Sequence, residues 1–252
     1  MPLDLGRRVR EPAAPALDLP TAFRPVALRE VGDAFAHARS IAADAGAGTL
    51  VHVGRFDLAE LAVVLEPEEP LRTARRALYA GMVALGNALA THAPPEKPIT
   101  FDWPDAVRID GGLVGGGQLA WPAGTDEATV PAWIVFGAMI RTVGGHEPGL
   151  HSPTTALDAE GFVDLGRLTE SFARHLMATI DGWQQDGFAA VARSYLARLV
   201  PEKGVDRALD EDGDLLRRLG KSEIERRALA PALMQPSWLD PASSGPRLTS
   251  AP

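Results

Sequence analysis

Trp103, Pro104 and Asp105, with Gly115, Gly116 and Gly117 shortly after them, are the residues of this chain best suited to hold a ligand. They sit in one stretch, Phe101 to Trp121, FDWPDAVRIDGGLVGGGQLAW. The stretch reads as a Trp-Pro-Asp turn, a short strand through Val107 and Ile109, an Asp-Gly-Gly turn, and a second strand from Leu113. Glycine bares the backbone, so a ligand or another main chain can come within hydrogen-bonding distance. Two readings of the glycines stand: a ligand floor, or room for a bulge or a large neighbour such as Trp121 or Trp133. Asp105 likewise reads either as a strand-entry cap or as a polar group aimed at a ligand. Arg55, on a short loop, reads as a solvated side chain or as a carboxylate or phosphate partner. Lys97, just before the hairpin, could reach inward as a second cation.

Other chemistries find little support. The chain has no cysteine, which excludes disulfides, thiolate nucleophiles and Cys-ligated metals. No serine sits in a Gly-x-Ser-x-Gly elbow, and no phosphate-binding glycine loop has the right spacing. His146, Glu147 and His151 form HExxxH, which lacks the HExxH spacing that puts two imidazoles on one helix face. Pro148 and Gly149 preclude a helix there, so no metal site is assigned.

The elements that must position these residues follow from periodicity. The chain has 252 residues, enough for one large domain, or one domain with a small appendage. Residues 1–21 are rich in proline and read as a flexible arm. Helices are expected at Arg29–Ala45, Leu71–Thr91, Asp164–Trp183 and Phe188–Leu199, where apolar residues recur at helical spacing. Strands are expected at Thr49–Val53, Leu58–Leu65, Ile99–Asp102, the two hairpin arms, and Ala132–Ile140. The last is nearly all apolar, as a strand covered on both faces should be. Asp210 to Gly213 is a strong turn signal between two short strands. The expected fold is α+β: a mixed or antiparallel sheet with helices packed on one face, plus a small β-rich C-terminal domain. The expected division is 1–21, 22–200 and 201–252.

The net charge of −8 argues against nucleic-acid binding, which needs a basic face. No window holds the roughly 18 apolar residues of a membrane span, and no signal-peptide run opens the chain. The localisation expected is cytoplasmic, with no membrane partner.

The order of these pieces over about residues 22–200 resembles the biotin/lipoate protein ligase family. Trp103-Pro104-Asp105 is similar to the start of that family's WPND hairpin motif. Gly48-Thr49 resembles the Gly-Thr pair ending its first helix. Residues 182–199 resemble its helix pair, and Asp210 to Leu216 its C-terminal β-domain. The segment Pro236 to Pro241 resembles the end of an uncharacterised branch with a short C-terminal extension. The resemblance implies acyl transfer: ATP and a biotin-, lipoate- or octanoate-type acid form an acyl-adenylate, and the acyl group passes to a lysine of an acceptor protein domain. It implies Asp105 and Lys97 as candidate catalytic residues. Arg55, Trp103, Gly115, Gly116 and Gly117 become candidate substrate contacts. Two departures stand out. The family's Arg- and Gly-rich loop is reduced to Gly54-Arg55, and ungapped counting puts Leu113 where the family has lysine. Loss of such a charge-stabilising group costs on the order of 10²–10³ in rate. The alternative is therefore a member that binds a small carboxylic acid or a protein partner without catalysis.

Overall fold

The computed structural model describes residues 17–144, 153–220 and 223–248. The His146, Glu147 and His151 cluster and most of the expected N-terminal arm lie outside these residues.

The chain opens with strand β1 (Arg24–Leu28), which sequence periodicity did not reveal. Helix α1 (Ala34–Ala45) follows. It begins later than the expected Arg29, because the side chain of Asp33 caps it by accepting from the Ala36 N–H at 2.7 Å. Ala34, Ala38 and Ala42 form its buried stripe. Their small size lets the helix lie close on the sheet. Strands β2 (Thr49–Val53) and β3 (Leu58–Leu65) pair antiparallel. A short helix α2 (Leu71–Ala74) leads into α3 (Ala77–His92), which is buried nearly all round. Such a helix belongs in a core.

Strands β4 (Ile99–Asp102), β5 (Ala106–Ile109), β6 (Gly112–Ala120) and β7 (Ile134–Arg141) form an antiparallel run. With the first three they make a seven-stranded mixed sheet of order β1-β2-β3-β7-β6-β5-β4, in which only β1 and β2 run parallel. Leu58–Leu65 could have been helix by composition. Pairing along its whole length with β7 makes it a strand.

Helices α4 (Leu168–Asp186) and α5 (Phe188–Leu196) complete the main domain. They pack with α3 on one face of the sheet, around Phe101, Phe136, Phe172 and Tyr195. The expectation that helices cover one face needs correcting. Helix α1 lies on the opposite face, over Val51, Val53, Ala62, Val64 and Val135. The alternating residues of β3 and β7 are apolar on both sides, so both faces require cover.

Beyond the helices, β8 (Val205–Leu209), β9 (Leu215–Leu219) and β10 (Glu223–Arg227) form a separate three-stranded sheet. The Asp210 carboxylate shapes the predicted turn by accepting from the Asp212 and Asp214 N–H groups. Tyr79 of α3 docks that turn, donating its hydroxyl to the Gly213 carbonyl at 2.6 Å. The chain then passes through α6 (Leu229–Ala232) into a hairpin of β11 (Leu239–Asp240) and β12 (Gly245–Pro246). This last segment returns to the main sheet and lies on the α1 side of it.

Candidate functional site

Register decides which hairpin residues face which side. On β7, Phe136, Ala138 and Ile140 point into the helical core, while Val135, Gly137, Met139 and Arg141 belong to the α1 side. Gly116 is paired with Met139 and therefore faces the α1 side. Gly117 is paired with Ala138 and faces the core, where a Cβ would strike Met82 and Phe136. Gly115 has φ of 147° and lies against the Met139 carbonyl, beside the bulge that interrupts β5–β6 pairing. So the three glycines do three different things. Gly115 admits a neighbouring main chain, Gly117 admits core side chains, and Gly116 alone bares the α1-side surface.

That surface is covered. The indole of Trp238 sits on Gly116, and its Nε1–H donates to the Gly117 carbonyl at 2.8 Å. Trp238 is fully buried among Leu58, Ala106, Leu113 and Met139. The preceding residue, Ser237, donates its N–H to Asp105 Oδ2 at 3.1 Å and its hydroxyl to Oδ1 at 2.6 Å. Asp105 is 1% exposed, and burial pushes its carboxyl up to about 6 despite these donors. Asp105 and Gly116 thus meet at one place, beneath Ser237 and Trp238.

The remaining candidates are scattered. Trp103 packs against the helical core and donates its indole N–H to the Tyr79 hydroxyl at 2.9 Å. Lys97 pairs with Asp110 at 2.8 Å and Glu160 at 2.7 Å, which raises its pKa. Its ammonium is committed there, at the far turn of the hairpin. Arg55 pairs with Asp57 through two hydrogen bonds. The Asp57 partner raises its pKa. Glu60, on the α1 side of β3, accepts from the Ala34 N–H at 2.6 Å. Its carboxyl is raised by burial, and Arg55 is close enough to lower it.

Periodicity did not identify Arg141, Ser237 or Trp238. Arg141 is the last residue of β7 and its only charge. Its Nη2 donates to the Pro246 carbonyl at 2.5 Å, and desolvation lowers its pKa. A lone arginine at the end of an apolar strand was the available signal. Ser237 and Trp238 lie in the Pro236 to Pro241 segment noted for its resemblance, but nothing in it pointed to their partners, which lie more than a hundred residues away.

A second concavity, of about 890 Å³, opens on the other side of the sheet. Leu65, Ala77, Met177 and Trp183 line it, with Glu66 and Glu68 at its rim. None of the candidate residues lines it. Among the described residues there is no cluster of three or more metal-ligating side chains, and no helix is long and apolar enough to cross a membrane.

Known proteins share this fold. A biotin protein ligase-like protein of unknown function from Silicibacter sp. TM1040 is 29% identical in sequence, with a TM-score of 0.75 over 87% of this chain and 100% of that one. Biotin protein ligase from Aquifex aeolicus is 15% identical and has the same fold, with a TM-score of 0.62 over 81% and 95% of the two chains. A biotin–[acetyl-CoA-carboxylase] ligase of Paracoccus denitrificans is 29% identical over 146 residues, 54% of this chain. The match spans 58% of that relative's length. The sequence profile of one family covers residues 19–197, from β1 through the α4–α5 helix pair. The chain belongs to the biotin/lipoate A/B protein ligase family.

Proposed function

We propose that the chain is a ligase-type protein that binds a biotin- or lipoate-type carboxylic acid on the α1 side of the hairpin and activates it for transfer to an acceptor-protein lysine. One observation carries this reading. At Gly116 the sheet surface has a ring-sized recess, and the Gly117 carbonyl at its edge accepts an N–H from the ring that fills it. A ligand ring bearing N–H donors can make the same contact. Arg55, on the loop after β2, supplies a guanidinium for the carboxylate or a phosphate. Asp105 supplies the acceptor that now holds Ser237. In the activation step a carboxylate oxygen attacks the α-phosphorus of ATP and pyrophosphate leaves. Negative charge gathers there, so a nearby cation is needed.

A second reading is favoured by Leu113. It is 4% exposed in the apolar cluster around Trp238 and has no charge to offer. In this reading the protein binds the acid without activating it.

One experiment separates them. Thermal shifts are measured with biotin, lipoate and octanoate, with and without ATP, alongside pyrophosphate release. Acid at about 100 times its Kd stabilises by about 2.7 kcal/mol. The ligase reading expects a shift and pyrophosphate. A shift without pyrophosphate leaves the binder, and no shift with any of the acids sinks both.

A further inference from the structure

The recess over Gly116 is filled by the protein's own Trp238, and the cation beside it is held by the protein's own carbonyls. Arg141 Nη2 donates to Pro246 O at 2.5 Å and to Arg247 O at 3.4 Å. Its Nε is buried with no hydrogen-bond partner among the described residues. A guanidinium on carbonyls is under-served. A carboxylate takes two of its N–H groups at once and carries the opposite charge. The nearby acid, Asp57, is already bound by Arg55, which Glu60 also adjoins, so Asp57 is not free to serve Arg141.

The spacing sets the ligand class. Gly116 pairs with Met139, and Arg141 lies two residues further along the same face of β7. Strand geometry puts the Gly116 and Arg141 Cα atoms about 8 Å apart. A ring over Gly116 and a carboxylate on Arg141 are therefore joined by a short alkyl chain. The covering segment is joined to the main sheet by side-chain contacts rather than by a β-ladder. Strands β11 and β12 pair only with each other and form a separate two-stranded sheet. Lifting them breaks no ladder of the main sheet. Among the described residues the segment's hydrogen bonds to the sheet's own strands and turns join Ser237 to Asp105, Trp238 to Gly117, and Arg141 to Pro246 and Arg247, and the Trp238 ring packs on Leu58, Ala106, Leu113 and Met139.

We propose that Arg141 is the carboxylate-binding residue of this cleft, and that the segment Pro236–Arg247 is a displaceable strap whose Trp238 ring and Pro246 carbonyl occupy the places of the ligand's ring and carboxylate. The inference rests on the reading that an acid binds beside the hairpin, and adds to it the anchoring cation and the closing device.

Three full-length proteins test it: the unaltered chain, Ser237→Ala/Trp238→Ala, and the same pair with Arg141→Gln. Circular dichroism checks that each is folded. Biotin, lipoate and octanoate are titrated calorimetrically. The strap variant binds a ring-bearing acid at least ten-fold more tightly than the unaltered chain, and Arg141→Gln removes at least ten-fold of that affinity. Saturating acid also raises amide hydrogen exchange across residues 237–247 of the unaltered chain. That measurement decides the matter where the variants do not fold. Equal affinity with and without the strap residues, and unchanged exchange, overturn the strap while leaving acid binding intact. Affinity indifferent to Arg141→Gln overturns the anchor. Binding of none of the acids to any protein overturns the cleft reading itself, and this inference with it.

Discussion

Ser237 donates both its main-chain N–H and its hydroxyl to the carboxylate of Asp105, which stands 132 residues earlier in the chain. The pair ties the C-terminal segment to the turn that opens the hairpin. It also leaves a carboxylate in a place where water cannot reach it.

That burial has a pH signature. Asp105 titrates at about 6 in the folded protein against 3.8 in the open chain. Well below pH 3.8 both states are protonated and the residue contributes nothing. Through the window from about 4 to about 6 the unfolded state ionises first, so stability falls as pH rises. Above that window the cost is complete, on the order of 3 kcal/mol. Asp105→Asn cannot ionise and loses this slope. Denaturation midpoints of both proteins from pH 4 to 7 should therefore diverge, with the variant gaining relative stability at the upper end. Parallel curves would contradict it. Glu60, also raised by burial, slopes the same way in both proteins and cancels in the difference.

Gly116 has no room for a methyl group. A Cβ there collides with the Asp105 carbonyl oxygen and with the indole of Trp238. The carbonyl is backbone and cannot swing aside. Gly116→Ala should cost roughly 1–3 kcal/mol, toward the upper end. It should also loosen the C-terminal segment first, which amide exchange at residues 237–247 would register before global unfolding.

Tyr79 links three parts of the molecule through one hydroxyl. It donates to the Gly213 carbonyl and accepts from the Trp103 indole N–H at 2.9 Å. Removing it in Tyr79→Phe leaves the buried Gly213 carbonyl and the half-buried Trp103 indole N–H without this partner. The expected loss is about 2–4 kcal/mol, read as a lower urea midpoint with an unchanged slope. A loss under about 0.5 kcal/mol would mean that water replaces the hydroxyl.

Leu113 occupies the place of a charged residue in the family resemblance, but the fold around it is apolar. Leu58, Ala106, Met139 and Trp238 share its cluster. Leu113→Lys therefore puts an ammonium where it is poorly solvated. The cost should be several kcal/mol at pH 7 and shrink at high pH, where the neutral amine is accepted. A melting temperature indifferent to pH between 7 and 10 would show that the strap gives way and lets water in.

Local pattern carried much of this protein. The helices α3, α4 and α5 follow from apolar spacing, β7 from an unbroken apolar run, and the β8–β9 turn from Asp210 to Gly213. The hairpin and its glycines were legible for the same reason, since turn chemistry is local. Edge strand β1 was not, because RPVAL carries little alternation and is held by its parallel partner β2. Which glycine faces which side was equally hidden. Register depends on a bulge between Val107 and Arg108, and one residue of slip reverses every assignment. Lys97 and Asp105 looked alike as candidates in the chain. Folding gave Lys97 two carboxylate partners at the hairpin's far turn and buried Asp105 beneath Ser237. Short-range propensity thus set the elements and the bare hairpin. The occupant of that hairpin's surface came only from tertiary structure, because the contacts of Ser237, Trp238 and Arg141 join segments far apart in the chain, and no local pattern encodes a partner at that distance.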